Sequence, residues 1–162
     1  MTRILGIDLG EKRIGVAVAD SDGAAVPLTT LRRARDVGAD AEAIVRLAAQ
    51  HDAAELVVGL PLEASGETGT QANVTLAWVE SVSPLVRLPV TLRDERLSSH
   101  LAEQRLGPMK RGRSGGPPTA SQRDAYRARV DREAAAIILQ DELDSRAAAR
   151  AAASAAARAE QP

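Results

Sequence analysis

Arg3-Ile4-Leu5-Gly6-Ile7-Asp8-Leu9, Ile14 to Asp20 and Val26 to Leu31 open the chain as three apolar runs of strand length. Gly10-Glu11-Lys12-Arg13 separates the first two and Ser21-Asp22-Gly23 the second pair, and both links are short enough for antiparallel hairpins. Beyond them the pattern changes period. Ala41, Ile44, Val45 and Ala48 recur at helical spacing, with Asp40 expected at the N-cap. Leu56-Val57-Val58-Gly59-Leu60 follows as a continuous apolar run, which after a helix predicts a parallel strand buried on both faces.

The rest of the chain completes this arrangement. Glu63 to Gly69 reads as a loop, and Ala72, Leu76, Val79 and Val82 mark a second helix with Trp78 in its core. Leu88 to Arg93 is the expected fifth strand, Ser98 to Leu106 a short helix, and Gly107 to Gln122 a mobile Gly/Pro-rich basic loop. From about Arg123 the chain turns helical again, with Ala134, Ile137 and Ile138 as its packing stripe. These elements predict an α/β fold: a five-stranded mixed sheet, three strands antiparallel and then two parallel, flanked by helices. One domain is expected over residues 1–145, and the Ala/Arg-rich stretch 146–162 is expected as a frayed helix or disordered tail, because it lacks large apolar anchors.

Composition narrows the chemistry. A chain of 162 residues with 44% hydrophobic and 27% charged side chains is ordinary for one globular domain. It has no cysteine, which excludes disulfides, thiolate nucleophiles and Cys-based zinc sites. His51 and His100 are isolated, without metal-ligand spacing to a partner, and are expected at the surface or at helix ends. No apolar run reaches the roughly 18–20 residues of a membrane span, and Met1 to Leu9 lacks a signal-peptide pattern. A soluble, cytoplasmic protein without a membrane partner is therefore expected.

The net charge of −1 hides an asymmetry, because Arg105 to Arg132 holds eight basic against two acidic side chains. That stretch carries +6 and the remainder −7, so a polyanion is its natural partner. With Phe absent and only Trp78 and Tyr126 aromatic, base-stacking platforms are not expected, and contact with nucleic acid would run through phosphates.

Three acids stand out. Strand alternation puts Asp8 on the face of Ile4 and Gly6, opposite Leu5, Ile7 and Leu9, where a carboxylate is costly unless compensated. It also reads as a turn acid satisfying backbone donors near Gly10. Asp94-Glu95-Arg96 ends the fifth strand, and parity places Glu95 with Thr91 and Arg93 as the projecting ligand, leaving Asp94 to an ion pair or a cap. Asp131 aligns with Ala134, Ala135 and Ile138 on the packing face, although an acid near a helix N-terminus needs no function. In the expected topology all three converge. Hard oxygen donors suit one or two Mg²⁺ or Mn²⁺ ions, and paired ions serve displacement at phosphorus by activating a water and stabilising the leaving oxygen.

Gly6-Ile7-Asp8-Leu9-Gly10, Lys12 to Ala17, Val58-Gly59-Leu60-Pro61, Asp94-Glu95-Arg96-Leu97, and Val130-Asp131 with Ala134-Ala135 and Ile137 to Gln140 resemble, in order, the motifs of the YqgF/RuvX family. The resemblance covers about residues 3 to 144 and implies a ribonuclease-H-like fold with Asp8, Glu95 and Asp131 as a catalytic, metal-binding triad. It implies a divalent-metal-dependent nuclease acting on pre-16S rRNA or on branched DNA such as a Holliday junction. Lys12, Arg13, Arg96, Lys110, Arg111 and Arg113 are the candidate nucleic-acid contacts. Leu97-Ser98-Ser99 departs from the family's usual Thr after Asp-Glu-Arg, and the Gly/Pro-rich stretch before Asp131 is longer than usual.

Two other classes compete. A noncatalytic ribosome-assembly module would use the basic loop and tolerate loss of metal. The N-terminal strand-Asp-Leu-Gly turn also resembles the first phosphate motif of actin-like ATPases and sugar kinases. Those need two such domains and a second phosphate-binding hairpin. Monomer and homodimer both remain open, because junction cleavage calls for a two-fold dimer and end trimming does not.

Overall fold

The computed structural model describes every residue except Met1, Ala64, Glu67, Arg113 and Pro162. The expected Glu63–Gly69 loop, the basic loop and the tail each include one or two of these, and the candidate contact Arg113 lies outside the described residues. The elements are β1 (Arg3–Leu9), β2 (Arg13–Asp20), β3 (Val26–Arg32), α1 (Val37–Gln50), β4 (Ala53–Pro61), α2 (Thr70–Val86), β5 (Val90–Glu95), α3 (Ser98–Leu106) and α4 (Ala120–Ala159). The sheet order is β3-β2-β1-β4-β5, antiparallel among the first three strands and parallel for β1 with β4 and β4 with β5. This is the mixed, ribonuclease-H-like sheet that the motif order implies.

Strand alternation sorts the core into two faces. Leu5, Ile7, Leu9, Leu56 and Val58 pack with Ile44 of α1 and with Trp78 and Val82 of α2. Ile4, Ala17 and Val57 face the other way, against Ala135, Ile138, Leu139 and Leu143 of α4. Here the helix lies unusually close. A Cβ on Gly15 would stand 2.0 Å from the Asp131 carbonyl oxygen, and one on Gly6 would stand 2.7 Å from Leu139 Cβ. Both positions therefore require glycine for backbone approach, and Gly15 sets where Asp131 enters the site.

Several boundaries differ from the sequence expectation. Asp36, not Asp40, is the N-cap of α1, with Oδ1 accepting from the Gly38 amide at 3.0 Å. Asp40 is instead buried within the helix, accepting from the Ala34 amide at 2.8 Å and from Trp78 Nε1 at 3.3 Å. Helical spacing could not separate these acids, because the tryptophan that uses Asp40 comes from α2. Val45, placed on the packing stripe, is 40% exposed. β5 is shifted two residues toward the C-terminus of the expected strand, because its ladder partner β4 runs on to Pro61, which pairs with Glu95. α4 starts at Ala120 under a Thr119–Gln122 capping box, earlier than Arg123.

The stretch 146–159 is continuous helix in this structure. Its first residue is anchored: the Arg146 guanidinium donates to both Glu55 oxygens, and its Nε donates to Glu142 at 3.0 Å. This clamp joins α4 to β4, and the Arg146 hydrogen bond holds the Glu55 carboxyl below its usual range. Past Arg146 the helix side chains are almost all exposed. Among the described residues no helix is long and apolar enough to cross a membrane.

The close approach at Gly15 yields a direct expectation. Gly15→Ala must push α4 away, costing about 1–3 kcal/mol or more by overpacking, read as a lower urea midpoint. Trp78, the one tryptophan, is buried on the opposite face and reports the unfolding by its fluorescence.

Candidate active site

Asp8 is the penultimate residue of β1 and pairs with Gly15 on β2, the glycine on which the Asp131 backbone rests. The register alone thus brings Asp8 and Asp131 together. β4 lies on the other side of β1, and Gly59, next after the Val58 that pairs with Ile7, has no side chain and leaves room filled by Ile138. Glu95 ends β5 opposite Pro61 and points to the α4 face, as its parity with Thr91 and Arg93 predicts. It is 7% exposed, whereas Asp94 faces solvent.

Burial and like charge act on these acids together. Burial, and secondarily the Asp131 charge, push the Asp8 carboxyl up to about 7. Glu95 is also pushed up to about 7, first by burial and then by Asp141, with Asp8 adding a smaller push and Arg93 opposing it. Asp131 is held differently: Arg13 Nε donates to its Oδ2 at 2.7 Å. Asp8 is the link between the other two acids, raised by Asp131 and itself raising Glu95.

Among the described residues no three acidic or histidine side chains stand close enough to enclose a metal ion as placed. The donor set nevertheless fits a hard divalent cation. Two carboxyls lifted to about 7 by burial and neighbouring acids would return to the charged form beside such an ion, which no cysteine or histidine here could hold instead.

A fourth acid escaped the motif reading. The Asp141 carboxyl stands beside Glu95 and, after burial, is the main influence that holds the Glu95 carboxyl up. Its spacing of three residues from Ile138 was the available signal, since residues at i and i+3 share a helix face. Arg93 and Glu142 approach to 3.6 Å on the same side. Arg93 Nε is buried without a hydrogen-bond partner among the described residues.

The candidate phosphate contacts divide into groups. Lys12 is exposed at the β1–β2 turn, while Arg13 is half-buried against Asp131 and lies 3.9 Å from Asp124. Arg96 is exposed, its guanidinium next to Gly66 of the β4–α2 connection. Just after it, Leu97 adopts φ 64, a left-handed conformation rare for leucine, and turns the chain from β5 into α3. Lys110 and Arg111 are exposed in the loop before α4, with Arg111 NH1 directed at the Gly115 carbonyl at 3.5 Å. Met109 of that loop lines a groove of about 240 Å³ together with Tyr126 and Asp131, so the loop's base adjoins the acids. The Tyr126 hydroxyl donates to the Gly107 carbonyl at 2.8 Å, which engages it in packing.

A sheet of this order, with acids on two strand ends and the closing helix and a cationic surround, defines a nuclease of the ribonuclease-H-like class. The profile of the RuvX family, described as "Holliday junction resolvase", matches residues 2–145. The chain belongs to the RuvX family. A relative from Chloroflexus aurantiacus (strain ATCC 29366 / DSM 635 / J-10-fl), described as "Putative pre-16S rRNA nuclease", is 43% identical over 144 residues, 88% of this chain and 87% of its own. The Chloroflexus aggregans protein of the same description is 42% identical over 144 residues, 88% of this chain and 94% of its own. Among solved structures, Thermus thermophilus RuvC in complex with a Holliday junction substrate is similar with a TM-score of 0.48 and 15% identity, covering 90% of this chain and 96% of that one.

The raised carboxyls make stability depend on pH. Groups whose folded-state values lie above the unfolded ones stabilise the fold below about pH 4, and that contribution is lost as pH rises through about 7. The metal-free protein should accordingly melt at lower temperature at pH 8 than at pH 5.5. Asp8→Asn, which removes the buried charge, should raise the pH 8 melting temperature by several degrees and flatten this dependence in a thermal scan.

Proposed function

We propose that this nuclease hydrolyses phosphodiester bonds of structured RNA at an acidic centre of Asp8, Glu95 and Asp131, and that its substrate is the 5′ end of pre-16S rRNA. The observation that carries the centre is Asp8, a carboxyl placed by strand register against Asp131 and within electrostatic reach of Glu95. The description shared by the Chloroflexus relatives supports the substrate.

Asp8, Glu95 and Asp131 would hold one or two Mg²⁺ or Mn²⁺ ions. When bound, such ions supply Lewis-acid stabilisation of charge on the phosphoryl oxygens and a nucleophilic water near neutral pH. The chain's own residues supply orientation. Arg13 fixes one oxygen of Asp131, the Oδ2 that accepts from its Nε at 2.7 Å. A carboxyl near 7 at Asp8 or Glu95 can hold a proton on an oxygen at neutral pH and give it up when a cation or substrate arrives. Lys12, Arg96, Lys110 and Arg111 are exposed cations around the cleft suited to the phosphate backbone, and Arg113 is assigned with them from sequence. Residues 1–145 form the nuclease domain in this reading, with the segment 107–119 before α4 as the substrate-gripping loop.

A second reading, cleavage of a four-way DNA junction, is favoured by the description of the family itself. It would call for two active sites related by a dimer axis.

End-labelled 16S precursor RNA and a four-way DNA junction, incubated in parallel with Mg²⁺, Mn²⁺ or EDTA, separate the readings. Metal-dependent cutting of the RNA near its 5′ end, lost by 10³-fold or more, roughly, in Asp8→Asn, is expected. Preferential cutting of the junction would assign the second reading. Binding that persists in EDTA without any cutting would make the chain a noncatalytic module.

A further inference from the structure

Not all of the basic surface comes from Arg105 to Arg132. Leu31-Arg32-Arg33-Ala34-Arg35, where β3 ends and the chain turns toward α1, lies beside the β1–β2 turn. Two grooves meet at Lys12. One, of about 630 Å³, runs from Lys12 past Arg123 and Arg127 to Asp131; the other, of about 460 Å³, runs from Lys12 to Arg32 and Arg35. A third hollow of about 310 Å³, floored by Thr30 and Ala128, lies between Lys12 and Arg32.

The charges in this surface are not equivalent. Arg13 is committed to Asp131 and Asp124, and Arg33 donates to the Gly10 carbonyl at 3.2 Å and lies 3.9 Å from buried Asp40. Those two arginines build the surface. The Arg33 amide also donates to the Lys12 carbonyl at 2.9 Å, so the β1–β2 turn and the end of β3 are tied together. Lys12, Arg32, Arg35 and Arg127 are exposed and have no ion pair among the described residues. Glu11 and Asp124 are the acids on the rim. A fixed row of uncompensated cations leading away from an acidic centre is a binding surface for a regularly spaced polyanion.

The geometry points to a phosphate track over Lys12, Arg32 and Arg35 that holds the backbone of a double-helical segment flanking the scissile bond. This inference rests on the nuclease reading for the position of the scissile bond. Double helix rather than single strand is favoured because, among the described residues, no aromatic side chain lines these grooves, so splayed bases would have nothing to stack on, whereas a paired stem keeps its bases stacked inside and its phosphates outward. The track would take the flanking stem across the β3 edge, away from the loop that carries Lys110 and Arg111.

Binding of a labelled RNA hairpin by the full chain carrying Asp8→Asn, titrated from about 50 to 200 mM salt, tests the track. Adding Arg32→Ala and Arg35→Ala should weaken binding about fivefold or more at the low-salt end. It should also flatten the slope of log K against log salt by about 1.4–1.8, two phosphate contacts' worth. Arg32→Lys with Arg35→Lys should restore most of both. Arg46→Ala with Arg87→Ala removes two other exposed arginines, from the α1 and α2 side, and should change neither. Equal loss in both pairs, or no loss in the first, overturns the track. Cleavage by the chain with Asp8 intact is scored separately, so failure of the nuclease reading shows as absent cutting while the binding difference stands. The four arginine positions are all solvent-exposed, and Trp78 fluorescence verifies that each variant is folded.

Discussion

The backbone of α4 lies directly on the glycines of the sheet, and the rest of the site depends on that contact. Asp131 can stand beside Asp8 only because Gly15 has no side chain between them, with the Asp131 carbonyl where a Cβ would otherwise be. Gly6 repeats the arrangement farther along the helix, against the Ala135 carbonyl and Leu139. Alanines at 135 and 136 complete the fit from the helix side, both of them buried. Small residues on both surfaces bring the helix close to the strands, and that closeness places a helix acid near a strand acid.

The site that results is held by opposing forces. Hydrophobic packing on both sheet faces positions Asp8 and Glu95 where water is scarce, and their carboxyls respond by holding protons up to about pH 7. Arg13 offsets the charge of Asp131. Asp141 adds a further acid beside Glu95. Strain of this kind is tolerated at functional sites because the surrounding fold over-determines the geometry. Here the over-determination is visible in the Glu55–Arg146–Glu142 clamp, which fixes the lower half of α4 to β4 while the upper half carries Asp131.

Outside the acids, charge is organised by tertiary contact as much as by local composition. The Arg105–Arg132 stretch is visibly basic, yet arginines at 32 and 35 join the same surface from an otherwise acidic remainder of the chain. Arg33 sits between them and serves instead as a structural tie to Gly10 and Asp40. Three arginines within four residues therefore divide into two roles that no linear charge count separates.

Strand and helix order were legible from the chain because burial leaves its own signatures: apolar runs of strand length for β1, β2 and β4, with side chains that alternate in face by parity, and helical spacing for α1, α2 and α4. The same parity put Asp8 and Glu95 on the α4 face, and motif order carried the family. What tertiary structure alone decided were the pairings between distant segments. Asp40 became the acceptor of Trp78 rather than a cap, Asp141 met Glu95, and Arg13 was committed to Asp131. Each depends on two elements meeting at a particular register and depth. Local periodicity reports which face a residue occupies, but the partner across that face is set by how closely the backbones approach.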